Sequence, residues 1–446
     1  MSGRRIAGRP LALPRWWVAA SAAFVLVVVG VVVAVVRTQV APCRDQVTAA
    51  PRSPLLGLAK MRQQPDGRLD TLTAAVDAMG APFGGVVAGV GYDYDQWLHV
   101  YGIDGALLTF TKDNARMTVL GPDDLQPSWS LTPSSRRIAW DGSGGRLLVL
   151  DLSAKDRTRA SAYDVADGDR VWCAELGQEQ KDGQPVATTF LSHGDVVTAL
   201  PDGDGLVALT RLSGRTGKQV WSRSYAGLGR ADYLGPLTGD LLVAGGTEEF
   251  RLADQQPKSA GGAVISGIDS ADGRTVWSWR APENSAVHVV GVDDGRVIAV
   301  ERTADGVRLF ALSDTGQQLW STSSLDLAYE TALRGGVVLT KSRAALYGYD
   351  ARTGKPLWHH AVPTDRTYFP YGFTLAQMPS LDDDHVLVPT TTSLAVLDVH
   401  DGSQVDHPLP VDGVSTTYWP YQLLATPDLL GVVTNTGAVL ARRSPM

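Results

Sequence analysis

The chain is poor in cysteine: Cys43 and Cys173 are its only two in 446 residues, so at most one disulfide can form within it. It has no phosphate-binding loop either. The glycine-rich stretch Asp141-Gly142-Ser143-Gly144-Gly145 lacks the Lys-Ser/Thr ending and leads into a strand pattern, which makes it a turn. Basic residues form no stripe interleaved with aromatics, and the net charge is −7. Such a surface repels nucleic acid and anionic lipid, and no nucleic-acid-binding motif is present. The eight histidines are scattered and form no Ser/His/Asp or Cys/His grouping. Carboxylates do cluster, as Asp93 with Asp95, Asp202 with Asp204, and Asp382 to Asp384 beside His385. Each cluster stands next to Gly or Pro or just before a strand, where Asp forms turns. A Ca²⁺ site draws about six or more oxygens from several segments, so these clusters designate no metal site.

What the chain does have is a repeat. Ala162-Tyr163-Asp164 through Gly168 to Trp172, Gly267-Ile268-Asp269 through Gly273 to Trp277, and Gly348-Tyr349-Asp350 through Gly354 to Trp358 share one spacing, with Asp eight and Gly four residues before Trp. Thr216-Gly217 to Trp221 and Thr315-Gly316 to Trp320 keep the Gly-to-Trp spacing without the Asp. Asp398 with Gly402 keeps the turn but has Asp406 at the Trp position. A first copy is read, by alignment, at Lys112-Asp113-Asn114-Ala115 to Val119. Each unit is a β-hairpin: Gly supplies the positive φ of a tight turn, and alternating Val, Leu, Tyr and Trp suit pleated strands. The anchor positions 119, 172, 221, 277, 320, 358 and 406 lie 38 to 56 residues apart. The period of a four-stranded propeller blade is about 40 to 50 residues. A Trp at a fixed place in such a repeat fills the joint between blades.

The segment Leu430 to Ala441 repeats the blade pattern but stops before its outer strand, which is what ring closure by an N-terminal strand would leave. Seven anchored units plus this incomplete one predict an all-β fold, an eight-bladed β-propeller, with seven blades as the alternative count. The motif resembles the Ala-x-Asp-x-x-x-Gly-x-x-x-Trp repeat of the pyrroloquinoline-quinone-type propellers, the superfamily of quinoprotein dehydrogenases and of the outer-membrane assembly lipoprotein BamB. The resemblance covers roughly residues 86 to 442. It implies the fold strongly and the function weakly, because one fold hosts many activities. Quinoprotein dehydrogenases clamp the quinone against a disulfide of adjacent cysteines, with a Ca²⁺ and a catalytic Asp. This chain has no adjacent pair.

Residues 16 to 36 carry no charge and are long enough to cross a hydrocarbon core of about 30 Å as a helix. Arg4, Arg5, Arg9 and Arg15 precede the span, so residues 1 to 15 are expected in the cytoplasm and the propeller outside. A cleaved signal peptide is the competing reading, and Cys43 after Val40-Ala41-Pro42 a weak lipidation signal. Taking the four arginines away from −7 leaves about −11 outside the membrane. Residues 37 to 85 form an expected stalk or linker and 86 to 446 the propeller. Within the former, Leu69, Leu72, Val76 and Met79 line one helical face, with Gly80 as a stop, although the segment could equally supply the closing strand.

A second repeat shares the blade period. Thr367-Tyr368-Phe369-Pro370-Tyr371 returns as Thr417-Tyr418-Trp419-Pro420-Tyr421, and Tyr233 and Tyr329 stand in comparable places after Trp221 and Trp320. These are loops from an outer strand into the next innermost strand, and they gather at one mouth of the central channel. The candidate binding residues are therefore Tyr233, Tyr329, Tyr368, Tyr371, Tyr418, Trp419 and Tyr421, unless the aromatics merely fill the space between blades. Trp172, Trp221, Trp277, Trp320 and Trp358 are structural anchors. Cys43 and Cys173, both external, are candidates for one disulfide. The function expected is that of a membrane-anchored binding or scaffolding module of the cell envelope, with envelope proteins as partners, no cofactor, no metal and no catalytic residue assigned. The alternative is a quinone- or metal-dependent dehydrogenase.

Overall fold

The computed structural model describes residues 46–48, 56–57, 67–91, 98–103, 106–111, 116–121, 125–132, 138–152, 158–176, 187–202, 206–228, 233–246, 263–283, 285–303, 306–322, 330–341, 345–361, 375, 378–389, 393–408, 420–434 and 437–445. Eight antiparallel sheets are built from residues 45 to 446, the first seven following one another along the chain and each wound from its inner to its outer strands. The fold is an eight-bladed propeller, and the seven-bladed alternative falls with that count. Blades 1 to 6 are four-stranded, and run from Leu98–Ile103 to Pro127–Thr132, Ile138–Ser143 to Arg170–Glu175, Ala187–Phe190 to Gln219–Ala226, Tyr233–Pro236 to Thr275–Arg280, Ala286–Asp293 to Gln318–Ser321, and Glu330–Arg334 to Pro356–Ala361. Blade 7 has three strands, His385–Pro389, Ser393–Asp398 and Gln404–Pro408. Its innermost place is marked by a bridge from Ser380 to Val386.

Burial explains why the middle strands read as unbroken apolar runs. Blades pack face to face, so both faces of a middle strand are covered: Leu429–Thr434 is buried throughout, and Arg146–Asp151 along all but its first residue. An outer strand such as Gln219–Ala226 is largely exposed and buries chiefly Trp221. The turn expected at Asp141 to Gly145 is present. Gly144 and Gly145 both take positive φ (61° and 73°) in the hairpin linking Ile138–Ser143 to Arg146–Asp151.

Ring closure follows the expectation from the incomplete last unit. Blade 8 takes Pro420–Ala425, Leu429–Thr434 and Gly437–Arg443 from the end of the chain and its next strand, Phe83–Gly91, from the N-terminal side. Residues 68 to 79 take the helical reading, as Gly67–Ala78, and not the alternative, since the strand that closes the ring is the following segment, Phe83–Gly91. Its residues Leu72 and Val76, with Met79 just beyond it, are buried in the core of blades 6 to 8, and Asp77 Oδ1 accepts the Val86 N–H at 2.7 Å. Two short strands add outer edges: Gln46–Thr48 pairs with Pro127–Thr132 of blade 1, and Leu56–Gly57 with Phe83–Gly91.

The first repeat copy is misplaced in the sequence reading by one strand. Val119 lies on the third strand of blade 1, Met117–Leu120, and the anchor on the fourth strand is Trp129. Leu125 holds the glycine position, four residues before Trp129, with a φ of 56°. Gly121 stands where other copies carry Asp. A leucine at a left-handed position and a glycine for the acid hid the motif. The expected span, residues 16 to 36, lies outside the described residues, and among the latter no helix is long and apolar enough to cross a membrane.

Candidate functional site

Six of the eight joints are built alike. The Trp of one blade rests on the turn glycine of the next: Trp129 on Gly168, Trp172 on Gly217, Trp221 on Gly273, Trp277 on Gly316, Trp320 on Gly354 and Trp358 on Gly402. A Cβ on any of these glycines would meet the indole inside 3.0 Å, and all six have φ between 65° and 78°. Five of the indoles donate their N–H to the carbonyl three residues before that glycine, at 2.7–3.2 Å: Val165, Gly214, Ser270, Ala351 and Val399. The repeat Asp caps the same turn, as Asp164 Oδ1 accepts the Ala166 N–H at 3.0 Å and Asp269 Oδ1 that of Ala271 at 2.8 Å.

Trp277 is the exception, and its Nε1 is buried without a partner. The cause is turn length. In the other five turns the glycine N–H bonds four residues back, as from Gly354 to Asp350, whereas Gly316 bonds three back, to Ser313. That turn lacks the residue whose carbonyl the indole needs.

The remaining candidates divide between packing and positions outside the described residues. The five Trp anchors lie at separate joints and do not come together. Tyr233 begins the innermost strand of blade 4 and packs, half-buried, against the core that holds Leu237, Val243 and Ile265, its ring lying over Gly235. Burial raises its phenol above the ordinary value. Tyr421 falls on the innermost strand of blade 8, Pro420–Ala425. Tyr329, Tyr368, Tyr371, Tyr418 and Trp419 lie outside the described residues. Cys173, on the outermost strand of blade 2, is disulfide-bonded, and Cys43 lies outside the described residues.

Of the acidic clusters, Asp202 and Asp382 to Asp384 serve turns, while Asp93, Asp95 and Asp204 lie outside the described residues. Asp202 accepts the Ser224 hydroxyl, and its N–H bonds Leu206. Asp382 Oδ1 accepts the backbone N–H groups of Asp384 and His385, at 2.9 and 2.7 Å, and lies 2.9 Å from His385 Nδ1. Burial raises the Asp382 carboxyl, but the His385 side chain and the two N–H groups outweigh it and hold it below the ordinary carboxylate value. Among the described residues no group of three or more His, Cys, Asp and Glu side chains is placed to hold a metal ion. A quinone clamp has no match in these residues either. The adjacent-cysteine disulfide has no counterpart, and Cys173 stands at the outer rim rather than at the channel.

At the axis, side chains tie neighbouring innermost strands together. Gln422 of blade 8 accepts the Val100 N–H with Oε1 at 3.1 Å and donates to the Val100 carbonyl with Nε2 at 2.6 Å, so its amide serves as a strand partner for blade 1. Thr188 donates to Asp141 at 3.3 Å between blades 3 and 2. Burial raises the Asp141 carboxyl against this bond and one from the Gly142 N–H.

A family model described as the outer membrane protein assembly factor BamB matches residues 74–256 and 259–419. The chain belongs to this family of PQQ-like propellers. BamB from Moraxella catarrhalis is similar in fold, with a TM-score of 0.52 and 15% identity over 80% of this chain and 99% of that one. A quinohemoprotein alcohol dehydrogenase from Pseudomonas putida is also similar, with a TM-score of 0.50 and 11% identity over 80% of this chain and 75% of that one. So is Sqt1 from Saccharomyces cerevisiae, at 0.51 and 10%, over 80% and 98%. At such identities these likenesses speak for the fold alone. No curated protein sequence matches the chain.

Proposed function

We propose that the chain is a membrane-tethered propeller of the cell envelope, anchored by residues 16 to 36 with residues 1 to 15 in the cytoplasm, and that it acts as a binding scaffold in the assembly or maturation of envelope proteins. Membership of the BamB-type family supports this reading. The observation that carries it is how the repeat residues are used. Indoles and turn glycines meet one another across the joints, so the repeat itself leaves nothing for a ligand at those six joints. In this reading the loops bearing Tyr368, Tyr371, Tyr418, Trp419 and Tyr421 form the partner surface, with Tyr233 and Tyr329 beside them. Aromatic side chains with polar tips suit that role.

The test is co-purification of the detergent-solubilised full chain with envelope proteins after cross-linking in its native membrane. Replacing Tyr371, Trp419 and Tyr421 together by Ala is expected to cut capture of the cross-linked partner about tenfold or more while the circular dichroism spectrum holds. Capture unchanged in that variant would remove the loops from the proposal. Stoichiometric binding of pyrroloquinoline quinone with Ca²⁺, together with reduction of a dye acceptor by alcohols or sugars, would replace the scaffold reading with a dehydrogenase.

A further inference from the structure

The joint between blades 7 and 8 has no tryptophan, and the strand register shows what replaces it. In every Trp-bearing blade the pairing of third and fourth strands slips by one residue next to the anchor, as between Gly348 and Tyr349 opposite Trp358. In blade 7 the ladder runs without a slip, placing Val396 opposite Val405, Ala395 opposite Asp406 and Leu394 opposite His407. With a side-chain period of two, this turns the exposed Asp406 outward and puts Val405 and His407 on the face toward blade 8. There they border a cavity of about 250 Å³ whose far wall is Ala81 and Pro82. Ala81 and Pro82 stand where other blades have the turn between third and fourth strands, since the Pro82 carbonyl accepts the Ser444 N–H at 2.8 Å just past the end of Gly437–Arg443. The cavity thus lies between the outer strand of one blade and the turn region of the next, the place an indole fills at six other joints.

His407 gives the cavity its chemistry. It is 8% exposed, and Nδ1 lies 2.8 Å from the Met79 carbonyl. A carbonyl only accepts, so Nδ1 is the donor of this bond, and in the tautomer that carries its proton there Nε2 is the acceptor atom. That Nε2 is buried with no partner, which a native interior rarely leaves uncorrected. The walls formed by Val396, Val405 and Pro82 are apolar, while Asp398 and His385 stand at the lining with Oδ2 and Nε2 4.0 Å apart.

We propose that this cavity is a binding site for an indole, the tryptophan side chain of a partner polypeptide, which donates its N–H to His407 Nε2 and lays its ring between Val405 and Pro82. An indole is a flat apolar ring with one donor and no acceptor, and the cavity offers apolar walls at Val396, Val405 and Pro82 beside the unpartnered His407 Nε2, its other polar lining being Asp398, His385 and Ser403. A hydrocarbon chain would leave Nε2 unpaired. An anion would meet a lone pair and the Asp398 carboxylate. None of the residues lining this site belongs to the aromatic loops, so it stands or falls independently of them.

The probe is N-acetyltryptophanamide, followed by saturation-transfer NMR on the full chain in detergent, beside its N1-methylated analogue. Binding of the first, and about five- to tenfold weaker binding of the second, is expected, the factor one lost hydrogen bond represents. Val405→Trp, at a position 61% exposed, should fill the cavity from within and abolish the signal while retaining the fold. Equal binding of the two probes overturns the proposal, and so does undiminished binding in a folded Val405→Trp variant. Should that variant not fold, the comparison of the two probes decides alone.

Discussion

A tryptophan and a glycine specify each other across the joints. Wherever the preceding blade carries the indole, the turn position lacks a Cβ. At the joint of blades 8 and 1, where the outer strand Phe83–Gly91 offers no Trp, the same position is Leu125, buried among Leu424, Val433 and Leu440. Its left-handed backbone costs about 1–2 kcal/mol, but emptying the site of a buried leucine costs roughly 2–5 kcal/mol. Leu125→Gly is therefore expected to destabilise, by about 1–3 kcal/mol in urea unfolding, and a stabilised variant would refute the reciprocity. The indole N–H groups give a sharper contrast. Trp358→Phe leaves the Val399 carbonyl without its 2.7 Å donor, whereas Trp277→Phe removes a donor that has no acceptor. An unmatched buried polar group is worth about 1–3 kcal/mol, so Trp277→Phe should be the milder change by about that amount. Equal losses would show that ring volume alone decides.

Among the elements, the blades were legible because their middle strands are apolar on both faces and their turns carry Gly at a fixed distance from Trp. Ring closure was legible because the last unit stops one strand short. Blade 1 was misread by one strand because Leu125 and Gly121 reverse the expected residue types. The seam cavity was invisible in sequence, since Asp406 marks a lost Trp but not the lost bulge that turns His407 inward. Nor did anything in the sequence point to Gln422, whose role depends on the meeting of two innermost strands 322 residues apart in sequence. Gln422→Ala strands both the N–H and the carbonyl of Val100, an expected loss of about 2–4 kcal/mol. His99 beside it adds a pH dependence. Burial lowers its value from the ordinary 6.5, and the Gln422 hydrogen bond raises it only in part. A histidine kept neutral in the folded state contributes fully above about pH 6.5, and the contribution is lost as pH falls through its lowered folded value. The denaturation midpoint should therefore drop between about pH 7 and pH 5, and His99→Asn should flatten that drop. An unchanged slope would assign it to other groups.

For the molecule as a whole, the open question in the sequence was how the propeller is fastened to its tether, and Cys43 is the residue on which that turns. The described chain enters the ring at Gln46–Thr48, paired to the outer strand of blade 1 with Thr48 Oγ1 3.1 Å from Ser130 Oγ. Cys173 is disulfide-bonded on the outer strand of the adjacent blade 2, and the chain holds no cysteine besides these two. A bond from Cys43 to Cys173 would fix the tether at the rim a few residues beyond the expected span, in a compartment where disulfides persist. Closing a loop of about 130 residues is worth roughly 4–5 kcal/mol on the chain-entropy estimate, less any strain in the bond. Cys43→Ser, Cys173→Ser and the double variant should therefore lose a similar amount, because each removes the same crosslink. Peptide mapping without reductant should recover a Cys43–Cys173 linked pair from protein taken directly from the envelope. Two thiols that alkylate freely in that material, or single variants that differ by more than about 1 kcal/mol, would show that the rim is held in another way.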